Sequence, residues 1–185
     1  MLTSGDSRII EAIHHLQRAV ELDDTDAAAW HRLGCQRDEA GQDPELALSA
    51  LRRAAHCPDI APGVALFWYD LSVMEHKHGG RTDVALHAAK MATKLDPDDA
   101  DALCHHGRLC ALVAEDDPES DSAEHSRAAA EEQYRQALLS EPEHQSAMFN
   151  LALLLKKQST RRQEALELLR RAVTVRNLWV FSTSY

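Results

Sequence analysis

Small and apolar residues recur with a helical period in five separate stretches of the chain. In each stretch they occupy positions i, i+4 and i+7, which places them on one face of a helix. The five stripes are Ala12, Leu16 and Ala19; Ala47, Leu51 and Ala54; Ala85, Ala89 and Ala92; Ala130, Tyr134 and Ala137; and Ala165, Leu169 and Ala172. The pattern predicts five helices of one kind.

The stripes return at a nearly constant interval. Their last alanines follow one another at 35, 38, 45 and 35 residues. Between stripes, a second series of helical segments opens on a large apolar residue, and three of its four members have leucine three residues later. The opening residues are Trp30, Trp68, Leu103 and Met148. We therefore predict an array of alternating helices, with both tryptophans in its core.

Extra residues fall in two turns, residues 55–67 and the acidic insertion 115–126, "EDDPESDSAEHS". Insertions confined to turns are what a stacked-helix array tolerates. The acidic insertion has no large apolar residue to offset the entropy of ordering, so we expect a mobile, removable loop. A second hypothesis is that it attracts a basic partner.

Residues at the predicted turns agree with these boundaries. Asp43 stands before a proline at the first helical position, and Thr160 with a glutamine three residues on forms a capping box. Gly41 and Gly79 are predicted to end the first helix of their pairs.

The stretch "WHRLGCQRDEAGQDPELALSALRRA" (30–54) resembles the tetratricopeptide repeat (TPR) family. It carries W-x2-L-G and then A-x3-L-x2-A, and prolines at 97 and 142 follow later stripes by five residues. The resemblance covers residues 9–176 and implies an all-α, right-handed superhelical solenoid of antiparallel helix pairs, with about four and a half repeats. Ser72 and Ala152 stand where the family has glycine.

We expect one TPR-like domain over residues 1–185. Its parts are a half repeat at 8–22; repeats at 26–56, 62–95, 99–139 (with the insertion 115–126) and 145–176; and an apolar tail at 178–185. The half repeat looks like the second helix of a pair whose first helix is not in this chain.

Composition points to a protein partner. The formal net charge of −10 disfavours nucleic acid and anionic lipid. The densest basic run, "KKQSTRR" (156–162), is interpreted as a solvated turn. Four cysteines without CxxC spacing, no apolar run of about 18 residues and no signal-peptide pattern favour a cytoplasmic location.

The sequence predicts no enzyme, no cofactor and no metal site. His106 and Cys110 share a helix face, but this is the packing face of the repeat and four ligands are usual for a structural metal. The neighbouring Cys104 and His105 point about 100° apart on a helix, which suits a nucleophile and its base poorly.

We predict a non-catalytic interaction scaffold, an adaptor that binds a peptide segment or helix of another protein in a concave groove. The groove is placed one and five residues after each opening residue, a face distinct from the packing stripe. Its residues are His31, Cys35, Tyr69, Val73, Cys104, Arg108, Phe149 and Leu153. Alternatives are a structural subunit, or a fragment of a larger assembly, that stacks through its ends, and a regulatory segment of a multidomain enzyme.

Two further expectations concern partners. Apolar ends suggest self-association through Ile10, Ile13, Trp179 and Phe181. TPR proteins that clamp an acidic C-terminal tail place basic and Asn side chains at five positions, which are occupied here by His31, Cys35, Asp70, Asp101 and His105. Because none of these is Lys, Arg or Asn, we predict that the chain is not a receptor of that type.

Overall fold

Helices make up nearly all of the part of the chain that the structure, a computed structural model, describes: residues 4–57, 64–79 and 81–182. The elements are α1 (Ser4–Leu22), α2 (Ala27–Glu39), α3 (Pro44–Ala55), α4 (Val64–Met74) with a π-turn (Glu75–Gly79), α5 (Thr82–Leu95), α6 (Ala100–Asp116), α7 (Asp121–Ser140), α8 (Gln145–Lys156), a 3-10 turn (Ser159–Arg161) and α9 (Arg162–Ser182). These ranges contain no strand, so the all-α prediction is confirmed.

The helices form two compact units, which are described separately. Unit 1 ends at Leu95 and contains α1 to α5; unit 2 begins at Asp96 and contains α6 to α9. In unit 1, α2 pairs with α3 and α4 pairs with α5, while α1 packs against α2. In unit 2, α6 pairs with α7 and α8 pairs with α9. Short connections make each pair an antiparallel hairpin.

The predicted stripes on α3, α5 and α7 are contact surfaces of these pairs, and all their members are buried. The predicted stripe on α1 is only half-buried, because Ile13 and Val20 are the buried residues of that helix. The partner helix comes so close that a Cβ atom built on Gly34 would lie 2.7 Å from Leu51 Cγ. A Cβ on Gly107 would likewise lie 2.7 Å from Tyr134 Cε1. Glycine at these two positions is therefore required by the close approach of the partner helix, whereas Ser72 and Ala152 are accommodated at the equivalent positions of the other two pairs.

Acidic turn residues begin the following helices. The Asp26 carboxylate accepts a hydrogen bond from the Ala29 N–H, and Asp99 accepts one from Ala102 in the same way. Each carboxylate satisfies a backbone donor that the first helical turn leaves unpaired. The last aspartate of each turn, Asp26 before α2 and Asp99 before α6, is thus explained by capping.

Gly41 ends the hairpin helix α2 as predicted. Its φ of 64° is the left-handed conformation that glycine adopts without strain. The Gly41 N–H donates to the Asp38 carbonyl and the Gln42 N–H donates to the Arg37 carbonyl, which closes the helix with a Schellman motif. The predicted capping box at Thr160 is wrong, because Thr160 lies inside the 3-10 turn, whose N-cap, Gln158, makes no side-chain cap bond.

Most of the acidic insertion is helical, so the prediction of a mobile loop is wrong. Helix α6 extends through Asp116 and α7 starts at Asp121, which leaves residues 117–120 between them. Ser120 caps α7 by accepting a hydrogen bond from the Ala123 N–H. Lys157 forms an ion pair with Glu115 at 2.6 Å. The extra residues lengthen two paired helices, which satisfies their backbone without a long loop.

The proposed open end at α1 also needs correction. Ile13 is only 4% exposed, because it packs with Val20 against Ala29 and Leu33 of α2. Ile10, by contrast, is half exposed. Trp179 and Phe181 fall in α9, but their side chains lie outside the described residues, 8–57, 64–78 and 81–175 for side chains.

A buried ion pair joins α3 to the π-turn of unit 1. Glu75 is fully buried, and its Oε1 accepts a hydrogen bond of 2.7 Å from the Arg52 guanidinium. The second oxygen of Glu75 has no protein partner. Removing Arg52 would leave a buried charge uncompensated, which is costly in a low-dielectric interior.

We expect the substitution Gly107→Ala to destabilise unit 2. The added methyl must displace the buried Tyr134 ring, and overpacking of this kind costs about 1 to 3 kcal/mol, more than the gain of about 1 kcal/mol in helix propensity. Urea unfolding followed by circular dichroism measures the change. In a Tyr134→Ala background the same substitution should be neutral or stabilising, and an equal loss in both backgrounds would contradict the packing explanation.

Candidate functional site

The predicted groove residues lie on the first helices of the pairs. Those of unit 1 are on α2 and α4, and those of unit 2 are on α6 and α8. The residues three and four positions after each opening residue turn toward the second helix and are buried, apart from the half-buried His106. The residues one and five positions after each opening residue are therefore rotated away from the hairpin contact.

In unit 1 this face is half-buried and centred on His31. The His31 Nε2 donates a hydrogen bond of 2.6 Å to Asp70 Oδ2, which joins α2 to α4. The imidazole also stacks on Phe67, with ring centroids 4.5 Å apart. Cys35, one turn along α2, has its Sγ 3.6 Å from the same nitrogen. Tyr69 and Val73 are half-buried on α4.

The charge of His31 is set by opposing influences. Burial disfavours the imidazolium and lowers the pKa of His31. The hydrogen bond to Asp70, with a smaller effect from Cys35, outweighs burial and raises that pKa from 6.5 to about 9. His31 is therefore a cation at neutral pH, held against a carboxylate.

Sequence reasoning missed the combination of His31, Cys35 and Asp70. Their nitrogen, sulfur and oxygen atoms all lie within 4.8 Å of one another. Among the described residues, these three form the group of His, Cys, Asp or Glu side chains that is close enough to hold a metal ion. Spacing of four residues along α2 signals the first two. Asp70 is 39 residues from His31, so only the packing of α4 on α2 reveals it.

In unit 2 the corresponding face is more apolar and more exposed. Phe149 and Leu153, one turn apart on α8, are 48% and 43% exposed. Arg108 of α6 is also exposed, and its guanidinium donates to His105 Nδ1 at 2.8 Å. An aromatic ring, an aliphatic side chain and a cation are thus available on this face of unit 2.

Cys104 does not contribute to that surface as predicted. It is buried under α8, where the Asn150 amide donates to its Sγ at 3.7 Å. Burial raises the pKa of the Cys104 thiol to about 11. A thiol that ionises so reluctantly is a poor nucleophile.

The five tail-clamp positions are engaged within the protein. His31 contacts both Asp70 and Cys35, and His105 accepts from Arg108. Asp101 accepts a hydrogen bond of 3.0 Å from His144, whose other ring nitrogen caps α8 by accepting from the Ala147 N–H. Two of the five are carboxylates, and the cation among them, His31, is already paired with Asp70, so these positions suit an acidic tail poorly.

Comparison with known proteins shows the fold. No protein-family model and no curated protein sequence matches the chain. Among solved structures, MamA is 18% identical with a TM-score of 0.73, over 97% of this chain and 98% of that chain. A MamA structure from Desulfovibrio magneticus RS-1, residues 41 to the end, is 15% identical with a TM-score of 0.70, over 91% and 86% of the two chains.

YrrB, described as a TPR protein with an unusual peptide-binding site, is 20% identical with a TM-score of 0.70, over 93% of this chain and 80% of that chain. At these identities the likeness concerns the fold alone. It confirms the prediction that the helix pairs adopt the TPR fold. Within the described residues, no helix combines the length and apolarity needed to cross a bilayer.

We expect the His31–Asp70 pair to stabilise unit 1 in a pH-dependent way. Because the pKa of His31 is raised in the folded state, its stabilisation is complete below pH 6.5 and is lost as pH rises through about 9. Asp70→Asn should lower the free energy of unfolding by about 1 to 3 kcal/mol at pH 6 and by much less at pH 10.

Urea unfolding in the presence of a chelator, with the His31 titration followed by NMR, measures this effect. Asp98→Asn, which removes the same charge from an exposed turn, is the control. If Asp70→Asn lowers the free energy of unfolding by the same amount at pH 6 and at pH 10, the carboxylate stabilises the fold independently of the charge on His31, which would contradict this explanation.

Proposed function

We propose that the chain is a non-catalytic protein-interaction scaffold whose first helices bind an apolar segment or helix of another protein. The observation that carries this proposal is the pair of large apolar side chains, Phe149 and Leu153, exposed one turn apart on α8. The TPR fold supplies a framework in which the second helices form the packing surface and leave this face available.

The surface formed by Phe149, Leu153 and Arg108 is called the α8 face. Two apolar anchors at positions i and i+4 suit an apolar side chain or a helix of a partner laid across them. Arg108 lies on the neighbouring helix α6, which packs against α8. In a chain of net charge −10 this cation favours an acidic residue in the middle of an otherwise apolar segment.

Unit 1 is proposed to contribute less than unit 2 to the binding of a partner segment. Tyr69 and Val73 are half-buried and offer less apolar surface than the α8 face. His31 and Cys35 are already held by contacts with Asp70 and with each other. We assign the main affinity to unit 2 for this reason. The peptide-binding site named for YrrB supports the use of a TPR fold of this size in peptide recognition.

A competing use of the surface is stacking through the terminal helices. Leu166 and Val173 lie two turns apart on α9 and are 49% and 50% exposed, which matches the exposure of the α8 face. Ile10 on α1 is exposed to the same extent. These residues favour end-to-end association of the chain as the second candidate function.

We expect the double variant Phe149→Ala/Leu153→Ala to lose its protein partners. Loss of two exposed anchors should weaken binding at least about 10-fold while stability changes little, because neither side chain is in the core. Affinity capture quantified by mass spectrometry identifies the partners, and calorimetry with the recovered partner measures affinity. Circular dichroism checks folding.

Leu166→Ala/Val173→Ala is the matched control, since it removes as much exposed apolar surface from another helix. Partners that survive in this variant and disappear in the α8 variant support the proposal. If the α9 variant loses them instead, or if light scattering shows an oligomer that only the α9 variant disrupts, stacking through the ends is the function.

A further inference from the structure

The face of unit 1 contains a group of side chains that peptide binding does not require. His31 and Cys35 are one turn apart on α2, and Asp70 approaches them from α4. They provide one nitrogen, one sulfur and one oxygen atom, the three donor types that zinc accepts in proteins.

We propose that His31, Cys35 and Asp70 form a binding site for a divalent transition-metal ion of the zinc class. Three protein ligands leave the fourth tetrahedral position for water or for a side chain of a partner. The proposal concerns unit 1 alone and does not depend on the scaffold function.

The three ligand atoms, all within 4.8 Å of one another, lie near the separations that such an ion requires. Ligands at zinc bond lengths of about 2.0 to 2.3 Å and tetrahedral angles lie about 3.3 to 3.6 Å apart. Cys35 Sγ lies 3.6 Å from His31 Nε2, which is the separation expected for two ligands of one ion. Asp70 Oδ2 lies 2.6 Å from His31 Nε2, which is too close for two ligands of one ion. The Asp70 side chain is partly exposed and can rotate to lengthen this distance by the roughly 0.7 Å that is needed.

The surroundings hold the ligands in place before a metal arrives. The His31 side chain is 14% exposed and stacks on Phe67. Cys35 is on the same helix face, so the α-helix fixes the separation of these two ligands. A metal ion would take the place of the proton shared by His31 and Asp70, and that proton would pass to solvent.

The same helix positions in unit 2 cannot form this site. Where unit 1 has His31, Cys35 and Asp70, unit 2 has Cys104, Arg108 and Asn150. A guanidinium and a carboxamide replace the thiol and the carboxylate, and Arg108 would repel a cation. The donor set is therefore a property of unit 1, whereas the contact between the two helix positions is common to both units.

Titration with Co²⁺ tests the proposal directly. Untagged protein, reduced and stripped of metal, is titrated while its absorption is recorded. We expect one Co²⁺ per chain, with a thiolate-to-cobalt charge-transfer band and the visible bands of tetrahedral cobalt, both removed by adding Zn²⁺. A wild-type protein that shows no such band would overturn the proposal.

Variants locate the ion. Cys35→Ser should abolish the charge-transfer band, and Asp70→Asn should weaken binding at least about 10-fold. Cys57→Ser, which changes another half-buried thiol, should leave spectrum and affinity unchanged. A band that persists in Cys35→Ser or disappears in Cys57→Ser would place the metal elsewhere and refute the site. Because no partner is present, the result is independent of the scaffold proposal.

Discussion

Close packing of small residues between the two helices of each hairpin is the constraint on which the rest of the structure depends. Gly34 lies against Leu51, and Gly107 lies against Tyr134, at distances that exclude a Cβ atom. Such contacts fix the rotation of α2 and α6 about their axes, because a small turn of either helix would drive a side chain into its neighbour. Rotation in turn decides which positions of the first helices face outward. The candidate binding residues are therefore set by packing on the opposite side of the same helices.

Much of the fold follows from local signals in the sequence. The stripes on α3, α5 and α7, the glycine that ends α2 and the aspartate that caps α3 act within a few residues, and each behaves as its pattern indicates. Contacts between residues that are distant in the sequence were not predicted. Glu75 is buried because Arg52, 23 residues away, reaches it from α3, and Ile13 is covered by α2. The acidic insertion has the composition of a loop, yet most of its residues belong to α6 and α7, which pair with each other as a hairpin.

The two units use equivalent positions for different chemistry. One and five residues after the opening residue, α2 presents an imidazole and a thiol that converge on a carboxylate of α4. At the same positions α6 presents a buried thiol and a guanidinium, beside the exposed apolar pair of α8. Sequence spacing predicted that these positions share one face of each first helix. It did not reveal that unit 1 is polar and internally paired, since the pairing depends on the contact between α2 and α4.

The rate at which each of the four free cysteines reacts with a thiol reagent tests this account most directly. Cys35 and Cys57 are half-buried, whereas Cys110 is buried and Cys104, although rotated away from the hairpin contact, is covered by α8. Mass spectrometry after timed labelling of the native, metal-free protein resolves the four sites. Burial raises the pKa of Cys104 from 9.0 to about 11, which lowers its thiolate fraction about 100-fold before restricted access is counted. The account predicts that Cys104 and Cys110 react much more slowly than Cys35 and Cys57, and that unfolding removes the difference. Labelling of Cys104 as fast as that of Cys35 in the folded protein would contradict it.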